Sequence, residues 1–219
     1  GFGSNFFGYS PDFIIDAVQD QLHKGYEIGP QHPLAGTVSK QISKMTGLSR
    51  VAFCNTGSEA VVGALRIART VTGRNTVVVF EGAYHGIFDE VIIRGTPNHR
   101  AVPAAPGIMK GAVDNVLVVP YGQDDALDII RANAADIAAI LVEPVQSRRP
   151  DLQPREFLHA CRQIATECGA AFIMDEVITG FRVAPGGAQE YFGVKADIAT
   201  YGKIVGGGMP IGVIAGCST

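Results

Sequence analysis

The sequence predicts an α/β fold with a mostly parallel sheet flanked by helices. From position 50 onward, short apolar runs alternate with amphipathic stretches, which is typical of βα units. The 219 residues are 47% hydrophobic, so the chain can bury one sizeable core. No internal repeat, low-complexity tract or linker-like stretch interrupts this pattern.

The first 49 residues differ from the rest because their apolar positions follow helical spacing. Ser10 and Pro11 are typical of a helix N-cap and a first helical position. A second helix is predicted over 34–45. We therefore expect an N-terminal helical segment, 1–49, that leads into a large domain over 50–219.

Seven strands and three further helices are predicted in the large domain. The predicted strands are 51–54, 76–80, 116–119, 137–142, 171–174, 198–200 and 211–215. The predicted helices are 58–72, 124–134 and 154–168. The stretch 99–112, rich in Pro, Ala and Gly, is expected to be one long irregular segment. Ligands of open α/β sheets bind beyond the carboxyl ends of strands, so residues directly after each strand are the first site candidates.

Charge and hydropathy exclude several classes of function. Lys and Arg total 18 against 21 Asp and Glu, so a net charge of −3 gives no basic footprint for nucleic acid or an anionic membrane. No apolar run approaches the ~20 residues of a membrane helix, and the start lacks a signal-peptide pattern. We expect a cytoplasmic protein that acts on small molecules or protein partners. The four cysteines lack metal-type spacing and are interpreted as buried thiols.

The first site candidate is the turn after the strand 51–54. Residues 55–60 read Asn-Thr-Gly-Ser-Glu-Ala and lead straight into a helix. Free N–H groups at a helix N-terminus, the positive end of its dipole and the hydroxyl of Ser58 suit a phosphate. An ordinary capping box is the alternative, since Thr56 and Glu59 stand three apart. The segment is not a P-loop, because no Gly-Lys-Ser/Thr follows.

Two further strand ends carry polar or aromatic groups. Tyr84 and His85 follow the strand 76–80, where an exposed tyrosine could stack on a flat ring. A half-buried tyrosine and a structural histidine are the simpler interpretation of that turn. Glu143 follows the strand 137–142, and it could pair with Arg148, be solvated or help to orient a polar substrate.

The last two candidates are an acid and a lysine. Asp175 is expected to be partly buried, so its charge requires a cation or a strong donor, and a protonated pyridine nitrogen would meet that need. A metal shared with Glu176 is disfavoured, because adjacent strand residues point to opposite faces. Lys203 lies among apolar and glycine residues, a setting that favours the neutral amine needed for a Schiff base. A surface lysine in a flexible loop is the alternative.

The order of these motifs resembles that of the class III aminotransferases of fold type I, and the resemblance covers essentially the whole chain. It rests on five segments: Thr-Gly-Ser-Glu-Ala at 56–60, Tyr-His-Gly at 84–86, Glu-Pro-Val at 143–145, Asp-Glu-Val-Ile-Thr-Gly-Phe-Arg at 175–182 and the segment around Lys203. The resemblance implies the large domain of a fold type I transferase, pyridoxal 5′-phosphate as cofactor, a homodimer, and a C-terminal small domain outside this chain. The chain would then be a fragment.

The resemblance also assigns cofactor contacts. It implies that the backbone and hydroxyl at Gly57 and Ser58 hold the cofactor phosphate. Tyr84 would lie over one face of the pyridine ring, and Val177 would pack on the other. No metal is implied.

Three residues would act in the reaction. Asp175 would pair with the pyridinium nitrogen and keep it protonated, so that the ring can accept electrons from a carbanion. Lys203 would bind the cofactor through a Schiff base and, once displaced by a substrate amine, move the proton between Cα and C4′. Glu143 matches an acid that the family places near the substrate.

The segment 175–182 is most similar to the glutamate-1-semialdehyde aminomutase branch. That branch usually has a Gly-Asn pair soon after Glu-Pro-Val, whereas this chain reads Gln-Ser-Arg-Arg-Pro-Asp-Leu-Gln-Pro at 146–154. This run, with Gly-Ser-Asn-Phe-Phe-Gly at 3–8, is similar to aminotransferase domains of hybrid polyketide/nonribosomal peptide synthases of the microcystin and nodularin type. That similarity implies an amino acid donor and a β-keto acyl thioester on a carrier protein. A free-standing aminomutase or ω-aminotransferase and a non-catalytic cofactor-binding fragment are the alternatives.

Overall fold

The computed structural model describes residues 2–25 and 32–217 as a seven-stranded sheet with helices on both faces and a separate two-stranded hairpin. The strands described are β1 (Arg50–Cys54), β2 (Thr76–Phe80), β3 (Ile93–Gly95), β4 (Ala101–Pro103), β5 (Val116–Val119), β6 (Ile137–Val142), β7 (Ala171–Asp175), β8 (Ile198–Tyr201) and β9 (Gly212–Gly216). The α-helices described are α1 (Asp12–Lys24), α2 (Ala35–Thr46), α3 (Gly57–Thr72), α4 (Asp124–Ala132), α5 (Arg155–Cys168) and α6 (Gly187–Phe192).

The main sheet is mostly parallel, as the sequence predicts. Its strand order is β1-β9-β8-β7-β6-β2-β5. The five strands from β8 to β5 pair in parallel, and β9 runs antiparallel to both β8 and β1. The carboxyl ends of β1, β2, β6, β7 and β8 therefore meet at one edge, where a ligand site of an open sheet is expected.

The two faces of the sheet carry separate cores. Val78 and Phe80 of β2 pack with residues of α4 and α5, whereas Val77 and Val79 pack with residues of α3 on the other face. Every residue of β6 is buried. Strands covered on both faces read as continuous apolar runs because neither face contacts water. This packing makes the sheet a rigid support for the side chains at its carboxyl edge.

Some expectations from the sequence are wrong in detail. Helix α1 begins at Asp12 with Pro11 as its N-cap, and no side-chain hydrogen bond caps it, so Ser10 is not the cap. The segment 99–112 is not wholly irregular, because β4 pairs there with β3. Of the four cysteines, Cys161 is buried, while Cys54 and Cys168 are partly exposed and Cys217 is exposed.

The helix α6 was not predicted, because six residues after a glycine-rich turn carry too little periodicity to identify a helix. All the strands and helices that were predicted are present. Their ends match the prediction or are shifted by one or two residues. Among the described residues, no helix has the length and apolar character to cross a membrane.

Candidate active site

The structure brings all the site residues that the sequence singled out to one cavity at the carboxyl edge of the sheet. Its lining includes Gly57, Ser58, Tyr84, Glu143, Asp175, Val177 and Lys203. A larger cavity of about 880 Å³, mostly apolar, adjoins it and shares Tyr84, Ile178 and Lys203 as walls. We call the first the front cavity and the second the outer cavity.

The turn before α3 forms a capping box and also leaves two amides available to an anion. The capping box is formed, because Thr56 Oγ1 accepts a hydrogen bond from the Glu59 amide (3.1 Å) and the Glu59 carboxylate accepts from the Thr56 amide (2.9 Å). Glu59 also accepts from the amide of Asn55 (2.7 Å). The amides of Gly57 and Ser58 lie in the first turn of α3 and have no acceptor within the helix, so they are available to an anion in the front cavity.

Close packing around this turn requires glycine. A Cβ at Gly57 would lie 2.9 Å from Val177 Cγ2, and a Cβ at Gly86 would overlap Ser58 Oγ. Gly86 also has a φ of +115°, which side chains rarely adopt. Ser58 Oγ accepts a hydrogen bond from the Ile87 amide (3.3 Å), so its hydroxyl hydrogen can be donated elsewhere.

Asp175 is a buried carboxylate held by three donors. One oxygen lies 2.7 Å from His85 Nδ1, and the other accepts from the Val177 amide (3.1 Å) and the Thr200 hydroxyl (3.2 Å). Only 4% of Asp175 is exposed. A carboxylate has about four lone-pair positions, so one is still available to a cation in the front cavity.

His85 is the site residue that the sequence reasoning did not select. It belongs to the turn after β2, and only the folded chain brings it to Asp175, 90 positions later. The sequence contains only an indirect signal for this contact. A buried acid at a strand end needs a donor, and His85 follows β2, which is separated from β7 by β6 in the same sheet.

Glu143 does not pair with Arg148. Its carboxylate accepts hydrogen bonds from the amides of Tyr84 (3.0 Å) and Ser147 (2.9 Å), and only 3% of the residue is exposed. Burial raises the pKa of Glu143, while the two amide donors lower it in part. The acid therefore joins the turn after β2 to the end of β6 and fixes the backbone that carries Tyr84.

Glu176 faces away from Asp175, as expected for neighbours at a strand end. Its carboxylate accepts from the Thr179 hydroxyl (2.7 Å) and from the amides of Ala188 (2.7 Å) and Gln189 (3.0 Å) at the start of α6. Burial raises the pKa of this carboxyl group. The two adjacent acids thus bind different partners, and Glu176 has a structural task outside the front cavity.

Lys203 begins a short 3₁₀ turn, Lys203–Gly206, directly after β8 and Gly202. Its φ of +49° is rare for a residue with a side chain and costs about 1–3 kcal/mol, a strain often found at functional sites. Burial lowers the pKa of Lys203, while the carboxylates of Asp175 and Glu143 raise it in part. The lysine is therefore a half-buried amine at the wall between the two cavities.

Comparison with known proteins identifies the family. The family model described as "Aminotransferase class-III" matches residues 1–218. The chain belongs to the class III aminotransferases. Their cofactor is pyridoxal 5′-phosphate, and a solved structure described as a transaminase with this cofactor bound is similar to the chain, with a TM-score of 0.91 and 31% identity.

Individual class III relatives span several activities. The chain is 42% identical to a glutamate-1-semialdehyde 2,1-aminomutase of Methanococcus maripaludis, over 98% of the chain and 52% of that protein. An omega-transaminase from Sphaerobacter thermophilus matches with a TM-score of 0.92 and 30% identity, over 99% of the chain and 52% of that structure. A β-phenylalanine aminotransferase from Variovorax paradoxus matches with a TM-score of 0.83 and 31% identity, over 99% and 48%. The chain spans about half the length of these relatives.

The front cavity fits the class III cofactor. It combines amides at a helix N-terminus for a phosphate, a carboxylate with an available lone pair for a ring N–H, and an amine with a lowered pKa. Gly57 and Gly86 lack side chains, so Val177 and Ser58 can pack against the turn that would hold the phosphate.

Proposed function

We propose that the protein binds pyridoxal 5′-phosphate in the front cavity and transfers an amino group from an amino acid to a keto substrate. The single observation that carries this proposal is the position of Asp175 and Lys203, which line one cavity together with the N-terminus of α3. Asp175 would contact the ring nitrogen of the cofactor, Lys203 its aldehyde carbon, and the N-terminus of α3 its phosphate. These groups are far apart in the sequence, so their meeting in one cavity is a specific sign of a binding site.

Four residues would hold the cofactor. The amides of Gly57 and Ser58, with the Ser58 hydroxyl, would donate to the phosphate. Tyr84 and Val177 both line the front cavity, and we assign them to opposite faces of the pyridine ring. The Glu143 carboxylate holds the Tyr84 amide, so the stacking position is fixed by the end of β6.

Asp175 and Lys203 would carry out the chemistry. When bound, the cofactor supplies an electron sink for the electron pair left on the substrate Cα. Asp175 would keep the ring nitrogen protonated, because its buried negative charge favours a cation beside it. The Lys203 amine would attach the cofactor and then accept and return the proton at Cα, for which its lowered pKa is suited.

We propose a small free amino acid or amino aldehyde as the substrate. The relatives named above support this choice, because they are an aminomutase, an omega-transaminase and an amino acid aminotransferase. Substrate would enter through the outer cavity, which shares Lys203 and Tyr84 with the front cavity. We also propose that Glu143 acts near the substrate, as the resemblance to the family implies.

A β-keto acyl thioester on a carrier protein is the second candidate substrate. One observation favours it: Gln146, Ser147 and Arg148, which differ from the usual aminomutase residues, line the outer cavity. That cavity is large and mostly apolar, which suits an acyl chain. The similarity of this run to assembly-line domains supports the same choice.

A homodimer is the proposed assembly. Support comes from a group of exposed aromatic side chains near the N-terminus: Phe2, Phe6, Phe7, Tyr9 and Phe13. Contiguous exposed apolar surface is typical of interaction sites. Sedimentation analysis of the protein at micromolar concentration should give twice the mass of one chain, and a single-chain mass would contradict this assembly.

Borohydride reduction followed by peptide mass mapping tests cofactor attachment. We expect a pyridoxyl-phosphate adduct on the peptide that contains Lys203. The turnover rates of the reduced and unreduced proteins are then measured with three substrates: glutamate-1-semialdehyde, a β-amino acid with a keto acceptor, and a β-keto acyl thioester of phosphopantetheine with glutamate. Turnover of the first or second supports the small substrate, and turnover of the third alone supports the carrier-bound chain. An adduct on Lys203 without any turnover would indicate a protein that binds the cofactor without catalysis.

Gly86→Ala is expected to weaken cofactor binding by about 100-fold or more. The new methyl group would overlap Ser58 Oγ, and moving that side chain removes the hydroxyl from the phosphate position. Loss of a hydrogen bond to a charged group costs about 1.5–3 kcal/mol, and strain at Gly86 adds to it. The dissociation constant for pyridoxal 5′-phosphate measures the effect.

Gly107→Ala is the matched control for this substitution. Gly107 also has a positive φ, +90°, but a Cβ there meets no atom within 4 Å. It should carry the backbone strain without the overlap and bind the cofactor as the unmodified protein does. Equal affinities for the two variants would contradict the assignment of the phosphate to this turn.

A further inference from the structure

His85 lies between the front cavity and a third cavity behind it. This rear cavity, of about 230 Å³, is lined by Glu81, Ala83, His85, Ile93, Arg94 and Gly95 with parts of β2 and β5. It is formed where the β3–β4 hairpin packs beside the turn that follows β2. Nothing in the proposed amino transfer uses it.

One ring nitrogen of His85 has no protein partner in the described part of the chain. Nδ1 lies 2.7 Å from Asp175, whereas Nε2 is buried without a hydrogen-bond donor or acceptor. His85 as a whole is 5% exposed. A buried polar atom without a hydrogen bond destabilises the fold, so nearly all such atoms have a protein or water partner.

His85 lines both cavities and turns its Nδ1 to the front one, so we infer that Nε2 lies on the side of the rear cavity. The two nitrogens lie on different edges of the ring, and Nδ1 is turned to Asp175, which lines the front cavity and not the rear one. The rear cavity is large enough for several water molecules, and the charged residues Glu81 and Arg94 give it polar walls.

We propose that the rear cavity binds water on Nε2 of His85, and that His85 thereby acts as a positioning residue for Asp175. Water that donates to Nε2 stabilises the neutral ring with its proton on Nδ1. That proton is donated to the carboxylate, which orients it without adding a positive charge beside the cofactor nitrogen.

The charge of the His85 ring is important because the single negative charge of Asp175 can neutralise only one neighbouring cation. An imidazolium at His85 would compete with the ring nitrogen of the cofactor for that charge. The charged or titratable groups in the cavity walls around His85 are Asp175, Glu143, Lys203 and Tyr84 in front and Glu81 and Arg94 behind. The effect on the cofactor rests on the proposed function, whereas the protonation state of His85 can be measured in the cofactor-free protein.

Nitrogen-15 NMR of the histidine rings tests the proposal without cofactor. His85→Asn identifies the resonances of His85 by their loss. At pH 7.5 we expect a protonated Nδ1, an unprotonated Nε2 and magnetisation transfer from bound water to the ring hydrogens. A proton on Nε2 or on both nitrogens, or a ring without contact to water, would overturn the proposal. This measurement decides about His85 even if the protein fails to bind pyridoxal 5′-phosphate, in which case the proposed function fails separately.

Cofactor affinity gives the second test. Ile93→Phe places a ring in the rear cavity and is expected to weaken binding of pyridoxal 5′-phosphate about tenfold, the equivalent of one hydrogen bond. Val102→Phe adds the same ring to the exposed side of the same hairpin and should leave affinity unchanged. His85→Asn keeps a donor near the Nδ1 position and should also lose about tenfold, whereas His85→Leu, which removes both contacts, should lose more.

Three results would count against the water site. They are unchanged affinity in both Ile93→Phe and His85→Asn, equal losses in Ile93→Phe and Val102→Phe, or equal losses in His85→Asn and His85→Leu. The melting temperature of each cofactor-free variant separates these results from unfolding. If Ile93→Phe does not fold, the two His85 variants and the NMR measurement still test the water site.

Discussion

Lys203→Ala is expected to abolish covalent attachment of pyridoxal 5′-phosphate and to lower the amino-transfer rate by about 10³-fold or more. The amine is both the attachment point and the proposed base, and loss of a proton-transfer group alone costs about 10²–10⁴-fold. The visible absorbance of the protein with cofactor and the steady-state rate measure the two effects. Added methylamine should restore part of the rate, because a free amine can carry the proton.

Lys195→Ala is the matched control for Lys203→Ala. Lys195 is exposed and lies outside both the front and outer cavities. This variant should keep the cofactor adduct and the rate of the unmodified protein. A cofactor adduct that persists in Lys203→Ala would show that Lys203 is not the residue that attaches the cofactor.

The pH dependence of attachment provides a check on the same residue. Burial lowers the pKa of Lys203 from the ordinary value of 10.5, so the neutral amine forms at a lower pH than in free lysine. Only the neutral amine attacks an aldehyde, so the rate of attachment should rise with pH and reach half its maximum below pH 10.5. A midpoint at or above that value would show that the amine is not desolvated.

Asp175→Asn is expected to lower the rate by about 10²- to 10⁴-fold at saturating cofactor. An amide has no negative charge to keep the ring nitrogen protonated, so the ring loses its ability to accept electrons. Removing one member of a buried charged pair costs about 3–5 kcal/mol, which corresponds to this range. The rate constant at saturating cofactor should fall, because the defect lies in the reaction step.

Asp128→Asn makes the same chemical change at an exposed position. The side chain of Asp128 is 82% exposed and pairs with Arg131 on the surface of α4. The Asp128→Asn substitution should therefore change neither the rate nor the cofactor affinity. If Asp175→Asn kept the full rate, Asp175 would be a structural acid that only holds His85, Val177 and Thr200.

The sequence was sufficient to predict the sheet and most of the residues that meet in the front cavity. Continuous apolar runs such as β6 identify strands buried on both faces, and residues after such strands must meet at the carboxyl edge. Glu143, Asp175 and Lys203 follow β6, end β7 and follow β8, so their convergence is a consequence of parallel pairing. The seven-stranded α/β fold was predicted for the same reason.

Partners across the fold could not be predicted in the same way. The contact of His85 with Asp175 depends on the path of a turn, and the choice of Glu143 between Arg148 and two amides depends on the local backbone. The three-residue strands β3 and β4 and the short helix α6 are too brief to show a period. Each of these features is defined by three-dimensional packing rather than by composition.

The opposite directions of Asp175 and Glu176 have a consequence for insertions and deletions. Side chains alternate along a strand, so loss of one residue in β7 would bring Glu176 to the position of Asp175, and gain of one residue would bring Asp175 to the position of Glu176. In the first case a longer acid would enter the front cavity. In the second case the aspartate would be too short to reach the amides of Ala188 and Gln189. We therefore expect β7 to accept substitutions of its apolar residues far more readily than any change in its length.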